Sequence, residues 1–178
     1  MTEFFAGKIK KILSSFKKPN LKQLPGQPKP DQKPEICDDS PLWLKIAYSQ
    51  VGVKEMAGPL DNPQIIRYHM STLLDKNLAQ HDETPWCSSF VNWCMREAGR
   101  VGTDSAWAKS WIKWGYPLDI PRKGCVAVFS RGEVNGHVGF FIKEIGENVI
   151  VLGGNQKDSV CEALYPKSRL LGYRWPVE

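Results

Sequence analysis

The body of the chain changes texture near Gly115, and that change restricts what it can fold into. Ahead of it, apolar residues recur at helical spacing; behind it come short runs rich in Val, Ile and Phe, which suit a pleated surface. Helices gathered first and strands second argue for an α+β fold with an antiparallel sheet of about five strands, because a parallel sheet needs alternating β and α segments. At 178 residues and 42% hydrophobic, the chain can bury one substantial core.

Leu42, Trp43, Ile46, Ala47 and Val51 form one helical face, with Ser40 placed to cap it, Pro41 at its first position and Gly52 at its end. Ile65, Ile66, Met70, Leu73 and Leu74 predict a second helix. Pro85 opens a third, carried by Phe90, Val91, Cys94, Met95 and Ala98 and stopped by Gly99. A short fourth covers residues 105–114, where Trp107, Trp111 and Trp114 follow i, i+4, i+7 spacing. Those rings either pack on the core or wall a substrate groove. Strands are expected at 125–131, 137–145, 148–154, 160–165 and 170–175, the second and third joined by the turn Gly146-Glu147-Asn148.

The body, residues 40–178, follows two unlike segments. Residues 1–18 are basic and amphipathic, with Phe5, Ile9, Ile12, Leu13 and Phe16 on one face and lysines between them. Such a segment either touches a membrane surface or partner, or packs on the body. Residues 19–39 form a proline-rich linker. Residues 1–36 hold eight Lys against three acids, whereas the remainder holds sixteen Lys and Arg against sixteen acids. The body thus lacks the basic signature of a nucleic-acid binder. No apolar run reaches the roughly 18 residues a membrane span needs. Phe4, Phe5 and Ala6 are interrupted by Lys8, Lys10 and Lys11, so no secretory signal is expected.

The five cysteines show no CxxC pair and no zinc spacing with histidine, so no metal site is expected. Cys94 falls on the apolar face of the third helix and reads as core. Cys125 and Cys161 read as core or as a disulfide pair, and Cys37 as an exposed residue of the linker boundary.

Cys87 falls in the first turn of the third helix. There unpaired N–H groups carry partial positive charge, which favours a thiolate and could hold an oxyanion. A nucleophile also needs a base. His69 lies in a helical stretch and His81 in a polar loop, whereas His137 opens a strand beside a glycine-bearing loop. Counting outward from the hairpin turn, Asn155 lies opposite His137, where its amide could accept the imidazole N–H. Singly, each has a plain structural reading: a buried small residue, a turn histidine, a turn asparagine. Together they form one consistent constellation.

The runs TPWCSSFVNWCMREAG, GTDSAWAKSWIKWG, VAVFSRG, GHVGFF, VLGGNQ and LLGYRWP occur, in this order over residues 41–176, as in the NlpC/CHAP-like cysteine peptidases that cleave bacterial peptidoglycan. This resemblance implies a papain-like α+β fold in which Cys87 is the nucleophile, His137 the base and acid, and Asn155 the orienting residue. Trp86, Ser88, Trp107 and Gln156 are the expected substrate contacts. No cofactor is implied. NlpC enzymes usually carry Asp-Cys-Ser-Gly; here the run is Trp86-Cys87-Ser88-Ser89, closer to the CHAP-like branch, which includes amidases and endopeptidases. Similar domains serve as phage lysins, autolysins and toxins injected by type VI secretion systems. The expected setting is an injected antibacterial effector, made in the cytoplasm without a signal peptide and acting in the periplasm or wall of a target cell. It would have an immunity protein and a secretion-apparatus partner. A phage lysin, a non-catalytic wall-binding module and a protein deamidase or acyltransferase are the alternatives.

Overall fold

The computed structural model describes residues 39–177; the 1–18 segment, the linker as far as residue 38, and Cys37 lie outside the described residues. The first helix, α1, spans Leu42–Ser49 and buries Trp43, Leu44, Ala47 and Tyr48. Its cap position is taken by Pro41, whose side chain offers no acceptor. Ser40 does not cap it: the hydroxyl is buried without a hydrogen-bond partner. Leu42 and Val51, expected on the inner face, are exposed.

Helix α2 spans Pro63–His69, with the Asn62 side chain accepting from the Gln64 N–H and Pro63 at the first turn. It stops well short of Leu74. The cause is a cluster of hydroxyls that compete for its last carbonyls: Ser71 Oγ donates to Tyr68 O at 2.6 Å and Thr72 Oγ1 to His69 O at 2.8 Å. Met70 and Leu73 consequently face solvent. Helix α3 spans Cys87–Glu97 and buries almost its whole length. It ends at Gly99, whose φ of +69° permits the paired closure of Gly99 N on Arg96 O and Arg100 N on Met95 O.

The expected fourth helix is a 3-10 segment, Ala108–Lys113. With three residues per turn, i and i+3 align, so Trp111 and Trp114 meet edge to face at 4.8 Å. Trp107 precedes the segment and is 53% exposed. The three rings therefore do not share one face.

The sheet has six strands in the order β1-β6-β2-β3-β4-β5, with every neighbouring pair antiparallel. They are β1 (Tyr116–Leu118), β2 (Val126–Arg131), β3 (Asn135–Ile145), β4 (Asn148–Gly153), β5 (Cys161–Pro166) and β6 (Leu170–Trp175). The sixth, unexpected strand is β1, a three-residue edge strand with a proline at its centre, too short for any alternation to register. The β3–β4 hairpin turns at Gly146 (φ +55°) and Glu147, with Ile145 facing Asn148.

One sheet face, through Val126, Val128, Val138, Phe140 and Leu152, packs on the helices. Ala127, Phe129, Phe141, Val149, Val151 and Tyr173 form a second, smaller core on the other face. Each fully buried Phe or Leu in these layers contributes roughly 1.5–3 kcal/mol. Among the described residues Cys87, Cys94, Cys125 and Cys161 are all free. The Cys125–Cys161 disulfide is thus not formed, and Cys125 is a core residue of the second face.

Candidate active site

The approach to Cys87 is built from buried polar contacts. Asp82 has no exposed surface, and its Oδ2 accepts from Met56 N and Asn62 N at 2.8 Å each. Trp86, the last residue before α3, donates its indole N–H to Glu55 Oε1 at 2.8 Å. The indole lies against Gly154, where a Cβ would collide with the Trp86 ring and with Phe90 Cβ. Glycine at 154 is what lets the end of β4 rest on the mouth of α3.

Cys87 is the first helical residue, as expected, and is 6% exposed. Its thiol lies against the backbone N–H of Val138, one residue along β3 from His137. Burial pushes the thiol pKa up; the Val138 N–H, the Arg131 charge and the N–H groups of Ser88 and Cys87 pull it down. The net direction is upward. The expected thiolate at the helix mouth therefore gives way to a neutral thiol at rest, because desolvation outweighs the helix terminus.

His137 faces Phe129 across the β2–β3 ladder and has no exposed surface. Its Nε2 lies 2.9 Å from Gln156 Oε1. The orientation of that amide is fixed independently: Gln156 Nε2 donates to Val151 O at 3.2 Å and to Cys161 O. Oε1 can only accept, so the imidazole must donate from Nε2 and carry its lone pair on Nδ1. Nδ1 is buried without a hydrogen-bond partner. The His137 pKa is lowered to about 3, by burial first and by the Arg131 charge second, against the opposing Gln156 bond. At rest the imidazole is neutral, with a free lone pair.

Tyr165 of β5 stacks on His137 at 4.7 Å and an interplanar angle of 11°, and on Phe129 at 4.8 Å. Its hydroxyl accepts from Arg131 Nη2 at 3.3 Å. Burial raises the Tyr165 pKa, the Arg131 charge lowers it, and Cys87 and Cys161 raise it. Cys87, Arg131, His137, Gln156 and Tyr165 thus form one cluster.

The structure sets the Cys87 thiol of α3 against Val138, the residue next to His137 on β3, but it does not put Asn155 on the imidazole. The β3–β4 ladder ends before that position, and Asn155 sits in a left-handed turn at φ +53°. Gln156, one residue on, swings back to make the bond. Of the four expected substrate contacts, only Trp107 offers surface, its indole N–H held by Val134 O at 3.2 Å. Trp86 and Ser88 are fully buried; Ser88 Oγ donates to Ser105 O at 2.6 Å and accepts from Trp111 Nε1 at 2.9 Å. Gln156 is buried on the imidazole.

Sequence reasoning missed Arg131 and Tyr165. Tyr165 reaches His137 only because β5 pairs with β4, a register no local motif announces. His69 packs elsewhere, its Nδ1 3.1 Å from Ser89 Oγ. Asp61, His81 and Glu83 place potential ligand atoms within 4.8 Å of one another at partly and fully exposed positions. The nearest contact within that group is the 3.6 Å approach of His81 to Asp61.

Residues 79–155 match the family model of the CHAP domain, which covers Cys87, His137 and Asn155 and bears out the resemblance read from the sequence. The arrangement of helices packed on an antiparallel sheet is the expected α+β, papain-like fold. Among solved structures, the P60 domain of an antigen from M. avium paratuberculosis is similar at 14% identity and a TM-score of 0.46, over 77% of this chain and 91% of that one. A lipoprotein-like protein of the NLP/P60 family from Staphylococcus aureus is similar at 13% identity and a TM-score of 0.45, over 84% of this chain and 46% of that one. No curated protein matches the chain.

Proposed function

We propose that this CHAP-like chain is a thiol hydrolase that cleaves an amide bond in the peptides of bacterial peptidoglycan. The observation that carries the reading is the Gln156 amide, whose two carbonyl partners force the His137 tautomer with a free Nδ1. A base so prepared, one residue from the backbone against which the thiol rests, has the form that cysteine hydrolysis requires.

The steps follow from the atoms present. His137 Nδ1 takes the Cys87 proton as sulfur attacks the substrate carbonyl carbon, giving a tetrahedral oxyanion. The N–H groups of Val138, Ser88 and Cys87, which surround the thiol, are the donors available to that charge. The C–N bond then breaks, and the leaving nitrogen takes the proton from Nδ1. Water attacks the thioester while giving a proton to the same nitrogen, and the acid departs as sulfur recovers its proton. Trp107 supplies an exposed aromatic wall beside the loop before His137. An antibacterial effector delivered by a type VI system, with an immunity protein that plugs the site and residues 1–18 acting outside the hydrolase body, is the biological setting of this reading.

The test is release of soluble muropeptides from purified sacculi by wild type and Cys87→Ala, identified by mass spectrometry. Release by wild type alone supports the reading, and the masses name the bond. Equal release, or none from either protein, sinks it. One observation favours a second reading, a non-catalytic wall-binding module: no hydrogen bond occupies His137 Nδ1, so thiol and imidazole are not yet engaged. Apo sites often tighten only on substrate. Sacculus binding without release, unchanged in Cys87→Ala, would establish the module instead.

A further inference from the structure

Arg131 stands at the exposed end of β2, facing Asn135 in the ladder two residues before His137. One guanidinium nitrogen donates to Tyr165 Oη at 3.3 Å, and the Tyr165 ring lies flat on the imidazole. A single tyrosine therefore separates the cation from the proposed base. Among the described residues no carboxylate pairs with Arg131; the carboxylate contacts with basic side chains found there are those of Asp61 with His81 and of Glu144 with Lys167. Most of its donor fork is thus unengaged, and that fork matches a carboxylate in geometry as well as charge.

The placement presents a problem that a substrate would solve. During thiol attack His137 must become positively charged, and Arg131 acts against that charge. Burial and the cation oppose the imidazolium together, with only Gln156 on the other side. The charged and titratable groups gathered around the imidazole and its two partners are Arg131 on β2, Cys87 on α3, and Cys161 and Tyr165 on β5. None of them is a carboxylate that could offset the guanidinium.

We propose that Arg131 binds a carboxylate carried by the substrate beside the scissile amide, so that the bound anion both anchors the peptide and neutralises the cation next to His137. The proposal deepens the hydrolase reading and rests on it for the identity of the peptide. It makes Arg131 a specificity residue: peptides with a free carboxylate near the cleaved bond are preferred over the same peptides in amide form. Charge-assisted hydrogen bonding of this kind sets the preference at about tenfold to hundredfold.

The experiment uses the full chain and two synthetic probes. One is the stem tetrapeptide L-Ala-γ-D-Glu-L-Lys-D-Ala; the other is the same peptide with both carboxylates as primary amides. Calorimetry on Cys87→Ala and on Cys87→Ala/Arg131→Gln measures binding without turnover, and wild type and Arg131→Gln are compared for kcat and KM on both peptides. The expected result is at least about tenfold tighter binding of the carboxylate form, lost in Arg131→Gln and partly kept in Arg131→Lys. Binding of the amide form should be unchanged, which also shows that the variant is folded. Equal binding of the two probes, an equal loss for both in Arg131→Gln, or no binding of either overturns the proposal. If wild type cleaves neither peptide yet binds the carboxylate form through Arg131, it is the hydrolase reading that fails.

Discussion

Two imidazoles are buried completely in this molecule, and they are buried for different ends. His69 closes α2 against α3: its Nδ1 meets the Ser89 hydroxyl at 3.1 Å, a partner free to rotate and to donate or accept. His137 meets an amide that cannot rotate, because Val151 and Cys161 hold its other end. Equal burial thus gives a packing residue in one region and a tautomer-defined imidazole, the proposed base, in the other. A buried histidine becomes chemically informative when its partner is itself constrained.

The largest expected effect separates the two by activity. His137→Ala should lower muropeptide release by about a thousandfold or more, the scale of losing a base that acts in every step. His69→Ala should leave kcat per folded molecule within a few-fold. Second, the order reverses for stability. His69→Ala removes a fully enclosed ring from the α2–α3 contact and should cost about 2–4 kcal/mol in urea unfolding, of the size found for large core truncations. Similar activity losses in the two variants would erase the distinction.

The third effect sharpens the amide's role. Gln156→Ala should reduce kcat about tenfold to hundredfold, because the imidazole loses the hydrogen bond that would strengthen as it charges. KM should move little.

The fourth concerns acid. Burial lowers both imidazole pKa values from the ordinary 6.5, that of His137 to about 3. The unfolded chain then binds more protons than the folded chain below pH 6.5, so stability falls as pH falls, at up to about 1.4 kcal/mol per pH unit for each group. For His137 the loss continues down to about pH 3. Urea midpoints at pH 7 and 5 should differ less in His137→Gln and in His69→Gln than in wild type. The smallest effect is expected for Asn155. Asn155→Gly keeps the left-handed turn accessible and should change kcat by less than about threefold. A loss as large as that of Gln156→Ala would return the orienting role to Asn155.

Much of this arrangement was legible in the chain. Periodicity placed α3 and set Cys87 at its start, and Val, Ile and Phe density placed the hairpin bearing His137. Counting the hairpin carried the reading to Asn155 but no further, because the ladder ends before that residue and a turn with positive φ redirects the chain. A one-residue shift at that point decided between Asn155 and Gln156. The direction of the thiol pKa was hidden for another reason. The helix terminus is local and visible in sequence, whereas burial of the thiol comes from a core assembled out of helices and strands distant in the chain. Long-range pairing likewise hid Tyr165, and hydroxyl competition at Ser71 and Thr72 shortened α2 against its apolar pattern.

The hold of Cys161 on Gln156 also orders events in time. During synthesis the thiol at 87 emerges first and the imidazole at 137 much later. The carbonyl at 161 that fixes the amide emerges later still, at the first residue of β5. Before β5 docks, the chain holds the proposed nucleophile and base without a defined proton address between them. Reactivity is therefore a property of the finished sheet, and a nascent or partly unfolded chain carries the two groups in an unarmed form.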